Sequence, residues 1–113
     1  MQVHNSMLPL DTEELHNVLR ALEDCIALWE DIGTALHIKV GKLEEIKAAY
    51  HSDPKKSLRA TMSEWLKKNY NTVRFGDPSW RLLVEAVGQF NKGVAERIAR
   101  DHPGPGKPVN VTA

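Results

Sequence analysis

Apolar residues recur along most of this chain at the spacing of an α-helix, and almost nowhere at the alternating spacing of a strand. The first ten residues lack any period and carry Pro9, which reads as an approach segment, 1–10. Asp11 then opens a helix, with Glu14 three positions on in the manner of a capping box. Leu15, Val18, Leu19, Leu22 and Ile26 continue it as one apolar stripe. A second short helix spans about 28–36, with Trp29, Ile32, Gly33 and Leu36 on one face and a turn at Leu36-His37-Ile38-Lys39. A third carries Val40, Leu43, Ile46 and Tyr50 inward.

Asp53-Pro54 and Asp77-Pro78 each pair an N-cap with a proline at the first helical position, where its missing N–H costs nothing. After Pro54 the apolar face is Leu58, Met62, Trp65, Leu66 and Tyr70, and after Pro78 it is Trp80, Leu83, Val84 and Val87. Asn91 caps a last helix with Val94, Ala95 and Ile98 inward. The expectation is six amphipathic helices over 11–101, each short enough to depend on tertiary packing. Residues 102–113, beginning His102-Pro103-Gly104-Pro105-Gly106, read as a linker or tail leading on to further polypeptide.

Composition narrows the classes. At 113 residues, 42% apolar and 27% charged, the chain is expected to be one globular domain with one core. Its formal net charge of zero counts against a dedicated nucleic-acid or membrane-surface binder. One cysteine, Cys25, excludes an intrachain disulfide and points to a reducing, cytoplasmic setting. Met1–Leu10 has neither the basic nor the apolar region of a signal peptide, and no apolar run approaches the ~20 residues of a membrane span.

The ordered set of features resembles the death domain family of the death-fold superfamily. The matching run is Trp29-x-x-Ile32-Gly33-x-x-Leu36-x-Ile38, then Leu43-x-x-Ile46, Asp53-Pro54, Leu58, Met62 and Trp65-Leu66. It closes with Pro78-Ser79-Trp80-Arg81-x-Leu83-x-x-Ala86-Val87 and Val94-Ala95-x-x-Ile98. The resemblance covers about 11–101 and rests on the order, with tryptophans in the second, fourth and fifth helices. It implies an all-α, six-helix antiparallel bundle of Greek-key arrangement, with no catalytic residues and no cofactor. It also implies an adaptor or receptor module that assembles with other death-fold domains, its own copies or relatives. The segment Asn71–Asp77 is longer than the family's corner at that point.

Candidate chemistry gives little else. Pro105-Gly106-Lys107-Pro108 lacks the earlier glycine of a phosphate loop and has proline where Ser or Thr would hold magnesium. Cys25, alone on an apolar stripe, reads as a small core residue. Histidines 4, 16, 37, 51 and 102 include no pair at i, i+3 or i+4 of the sort a metal site uses on one helix. Glu13-Glu14, Glu30-Asp31 and Glu44-Glu45 are chain neighbours about 100° apart on a helix, which cannot share a proton as a catalytic dyad. Trp29, Trp65 and Trp80 belong to inward faces and read as core, not as an aromatic cage. The Asn110-Val111-Thr112 sequon sits in the tail of a chain without an export signal.

The zero net charge hides a division. Met1–Leu36 holds seven acidic residues against one basic, a net of −6, and His37–Ala113 holds fourteen basic against eight acidic, a net of +6. Opposite faces of one domain can dock head to tail on the next copy or relative. The plainer reading is of solvated helix faces that complement helix dipoles. By family resemblance, the contact patches pair the first and fourth helices with the second and third, the fourth with the fifth–sixth corner, and the third with neighbouring loops. Carried over, the acidic candidates are Glu30, Asp31, Glu44 and Glu45, and the basic ones Lys55, Lys56, Arg59 and Lys92. The alternative is a nucleic-acid-binding domain using the basic second half, with a helix-turn-helix over Val40–Tyr70. That helix lacks the Asn, Gln and Arg cluster that reads bases, and Glu44-Glu45 would repel phosphates.

Overall fold

Helical periodicity is realised throughout residues 10–102, which the computed structural model describes and which contain no strand. The P-loop-like Pro105–Pro108 and the Asn110 sequon lie outside those residues, as do positions 1–9 of the approach segment and 103–113 of the tail. Asp11 accepts a hydrogen bond from the Glu13 N–H at 2.9 Å and starts a 3₁₀ turn, Thr12–Glu14. In place of the expected capping box, the Glu14 carboxylate accepts from the Asn17 side-chain amide at 3.1 Å.

Helix α1 covers only Leu15–Ala21, because the chain then tightens into a 3₁₀ segment, Glu23–Leu28. Cys25 within it has φ −123° and ψ 20°, outside helical geometry. The single stripe expected through Ile26 is therefore two elements. Leu19, Leu22, Cys25 and Leu28 fall three apart, which is the period of a 3₁₀ helix, so Leu22 and Cys25 stay buried across the break.

Helix α2, Trp29–Ala35, and α4, Pro54–Leu66, end in the same way. His37 (φ 70°) and Lys68 (φ 65°) take the left-handed position after each helix. The His37 and Ile38 N–H groups donate to Thr34 and Gly33 carbonyls, and those of Lys68 and Asn69 donate to Trp65 and Glu64. These are Schellman motifs, built here without the usual glycine. Helix α3, Val40–Ala49, lies between them and buries Leu43 and Ile46 alone. Val40, expected inward, is 65% exposed because it is the first residue of α3, past the edge of the core; Tyr50, after its end, is exposed too.

Helix α4 is the hub, packing on α1, α2, α3 and the 3₁₀ segment. Asp53 caps it, accepting from the Lys56 N–H at 3.0 Å, with Pro54 in the first turn. Its buried hydroxyls are satisfied: Thr61 donates to the Ser57 carbonyl at 2.8 Å and Ser57 to the Tyr50 carbonyl at 3.4 Å. At Gly33 a Cβ would lie 2.8 Å from both Leu43 Cδ2 and Thr61 Cγ2, so glycine is what lets α2, α3 and α4 converge.

Tyr70, expected on the face of α4, is buried beyond its end, after the Lys68 turn. The long segment 71–77 contains an additional one-turn helix, α5, Thr72–Phe75, capped by Asn71. Seven α-helices thus stand among the described residues where six were expected. The next helix, α6, is Trp80–Gly88 and its cap is Ser79, which accepts from the Leu82 N–H at 3.2 Å, not Asp77. Pro78 precedes the cap, and its carbonyl accepts from the Leu10 N–H at 2.8 Å, tying the start of the described chain to the start of α6. Helix α7, Lys92–Asp101, is capped by Asn91 and packs along α6.

The core contains Trp29, Ile32, Leu36, Leu43, Ile46, Leu58, Met62, Trp65, Leu66, Trp80, Leu83, Val87 and Ile98, together with Leu10 from the approach segment. Each large side chain so buried contributes about 1.5–3 kcal/mol. Val84, expected among them, is half-buried. The buried stripe of α6 is centred on Leu83, with Trp80, Ala86 and Val87 around it; Leu82 and Val84 lie about 100° to either side and form its margins. No helix of the described residues is long and apolar enough to cross a membrane.

Candidate interaction surface

The Asp53 cap decides where three of the basic candidates go. It starts α4 at Pro54, which puts Lys55 and Lys56 in the first turn and Arg59 one turn later. Arg59 is four residues from Lys55 and three from Lys56, so the three side chains are mutual neighbours on one helix surface. All three are exposed, and no ion-pair partner stands beside any of them among the described residues. The first turn of α4 contains no acidic residue. Two lysines therefore sit at the positive end of a helix dipole, an arrangement that costs stability. Lys92 repeats it singly as the first residue of α7, exposed and likewise without an ion-pair partner among the described residues.

The acidic candidates divide. Glu30 and Asp31 occupy the first turn of α2, where the dipole favours them. Glu30 is paired with Lys47 of α3 at 3.6 Å, and Glu45 with Lys42 at 3.2 Å. Asp31 and Glu44 are exposed and have no ion-pair partner among the described residues. Glu44 is one turn from Lys47, so the Glu30–Lys47 pair brings the α2 start and the middle of α3 onto one surface. All these pairs are solvent-exposed and add little to stability.

Ion pairs cross the division between the acidic first third and the basic remainder. Arg97 of α7 reaches Asp24 at 3.0 Å and donates to the Ala21 carbonyl at 3.4 Å, and Lys47 reaches Glu30, so two ion pairs join the oppositely charged stretches. Among the candidate residues, those without an ion-pair partner in the described chain are Lys55, Lys56 and Arg59 together on α4, Lys92 on α7, and Asp31 with Glu44 on the α2–α3 side.

The remaining groups have structural surroundings. Cys25 is a buried thiol whose pKa is raised by burial and by the neighbouring Asp24 carboxylate, which disfavours the nucleophilic thiolate. His37 stacks on Phe75 with ring centres 3.6 Å apart, and His102 on Trp80 at 3.7 Å. Burial against that ring lowers the His102 pKa, with Asp101 and Glu14 opposing. Among the described residues no three His, Cys, Asp or Glu side chains converge as a metal would require.

One feature of the surface had no counterpart among the sequence candidates, the corner built by α5. Tyr70 donates to the Gly76 carbonyl at 2.7 Å, and burial with the nearby Asp77 charge pushes its pKa up to about 12. Arg74 lies over the Phe75 ring at 5.4 Å. Beside it is an open hollow of about 480 Å³ lined by Phe75, Gly76, Pro78 and Leu82 among others. Val73 of α5 is 98% exposed. The length of the segment 71–77 was the one sign of this corner in the sequence. No family model, curated protein or solved structure matches the chain.

Proposed function

We propose that the chain is a non-enzymatic interaction module of the death-fold type, which assembles with other death-fold domains in a cytoplasmic signalling adaptor or receptor. On this reading α1, α2, α3, α4, α6 and α7 are the six helices of a Greek-key bundle, and α5 is an added turn in the corner after the fourth. The observation that carries the functional part is the α4 triangle. Three exposed cations are unpaired within the described chain, and two of them, Lys55 and Lys56, are held where the helix dipole opposes them, so local stability does not account for them. A partner that brings carboxylates to that surface does. The exposed carboxylates Asp31 and Glu44 offer such a counterpart on α2 and α3 of a copy or relative.

Light scattering behind size exclusion tests this over a concentration series. Mass is expected to rise with protein concentration at low salt and to fall as salt is added. Lys55→Glu/Arg59→Glu is expected to abolish the rise while helicity is unchanged. A mass that ignores both salt and the double reversal contradicts docking of copies through these charges. The same triangle could meet nucleic-acid phosphates, and a mobility shift at low salt, lost in the double reversal, would replace the protein-docking reading with that one.

A further inference from the structure

From the packing of α6 and α7 we infer that they form a hairpin that opens from the rest of the molecule as a unit, turning at Gly76 and latched shut by Arg97. Helix α7 packs chiefly along α6, whereas α1, α2, α3 and the 3₁₀ segment are gathered around α4. Among the described residues, Arg97 is the one α7 side chain bonded to a residue outside the hairpin. It makes two contacts there, an ion pair to Asp24 at 3.0 Å and a hydrogen bond to the Ala21 carbonyl at 3.4 Å. Ala21 is the last residue of α1, the negative end of that helix dipole, where a guanidinium is favoured.

The seam beneath α6 is incompletely filled. A hollow of about 120 Å³ lies between Leu36, Trp65 and Phe75 on one side and Leu82 and Ala86 of α6 on the other. A larger open one, about 480 Å³, shares Phe75 and Leu82 with it and reaches Gly76 and Pro78 at the start of the hairpin. Interiors are ordinarily close-packed, and each unfilled stretch forgoes contacts that would hold α6 down. Gly76 has φ 88° and ψ 161°, a conformation open to glycine and rarely to other residues, in the connection that would turn. Buried Trp80, Leu83, Val87, Val94 and Ile98 keep the closed form the stable one. Cys25, the sole cysteine, follows Asp24 and is 2% exposed, so it stands behind the latch as a reporter. Burial and then Asp24 hold its thiol pKa up, and the Arg97 charge pulls it down. Loss of that charge alone therefore slows attack by a thiol reagent, whereas opening speeds it.

Hydrogen exchange of the whole chain, followed residue by residue under native conditions, tests the hairpin. In Arg97→Gln the amides of α6 and α7 are expected to exchange at least about tenfold faster, with those of α4 unchanged. Iodoacetamide is expected to alkylate Cys25 faster in the same variant. In the wild-type chain, about 1 M salt, where screening acts within ~3 Å, should speed both processes; Arg97→Gln should not respond. Exchange that accelerates equally in α4, α6 and α7, or in none of them, overturns the hairpin as an opening unit. A Cys25 rate that is unchanged or lower in Arg97→Gln, or a wild-type chain insensitive to salt, overturns the latch. Neither result bears on docking at α4, whose failure would show separately, as low-salt association unaffected by the double reversal.

Discussion

The first turns of α2 and α4 are charged oppositely and start differently: Asp53 and Pro54 open α4, whereas α2 runs on from the 3₁₀ segment without a side-chain cap. Glu30 and Asp31 begin α2 and lie where the dipole stabilises an anion; Lys55 and Lys56 begin α4 and lie where it destabilises a cation. Glu30 has Lys47 beside it as well, whereas Lys55, Lys56 and Arg59 have no ion-pair partner among the described residues. The acidic turn is thus explained by the helix it starts. The basic turn is tolerated because α4 is anchored from below, by its cap and by six buried side chains. The difference separates charge that serves the fold from charge that the fold supports for another purpose.

Removing the anchor has the largest effect. Trp65 is 1% exposed near the C-terminal end of the hub helix, and Trp65→Ala is expected to cost about 3–5 kcal/mol in denaturant unfolding. Association should then be lost together with the fold, which erases the comparison. Asp53→Ala comes next, at about 1–2 kcal/mol by thermal or chemical unfolding, because the cap carboxylate is the anion nearest the two lysines.

Charge reversal at the two turns sharpens the contrast. Lys55→Glu/Lys56→Glu is expected to raise stability by up to about 1 kcal/mol while reducing association. Glu30→Lys/Asp31→Lys should lower stability by a similar amount, since it sets cations against the dipole and removes the Lys47 pair. Equal and like-signed stability changes would remove the distinction between the two turns.

The smallest effect concerns neither turn and serves as a control. His102 has its pKa lowered in the fold by burial on Trp80, from an ordinary value of 6.5, with Asp101 and Glu14 pulling the other way. The unfolded chain therefore binds the proton more readily, and stability falls as pH drops below about 6.5. A melting series from pH 7.5 to 5 should show that loss, and His102→Phe, which keeps a ring on Trp80, should reduce its slope. Association through α4 should not follow it.

Much of α4 was legible in the chain because local and tertiary signals agree there. Asp53-Pro54 marks the start, and Leu58, Met62, Trp65 and Leu66 follow at helical spacing onto a face that is buried. Asp77-Pro78 has the stronger pattern of a boundary than Ser79, and only the hydrogen bond to Leu82 shows that Ser79 is the residue that caps. The ends of α2 and α4 were harder to place, because their left-handed positions are taken by His37 and Lys68 and no glycine announces them. The break after α1 was present as a change of period from about 3.6 to 3 through Leu19, Leu22, Cys25 and Leu28, too small a change to stand out in a continuous stripe. Among the site residues, exposure followed from spacing, but pairing did not. That Glu30 meets Lys47 and Asp24 meets Arg97 depends on how separate helices are brought together.

A charge-swap mixture tests the central claim, that the α4 triangle is a docking surface for carboxylates on the α2–α3 side. Lys55→Glu/Arg59→Glu and Asp31→Lys/Glu44→Lys are prepared separately and followed by light scattering, alone and mixed, at low salt. Each alone should stay monomeric, and the mixture should recover association, because the acidic α4 of one variant now meets the basic α2–α3 side of the other. A mixture that associates no more than either component contradicts the account.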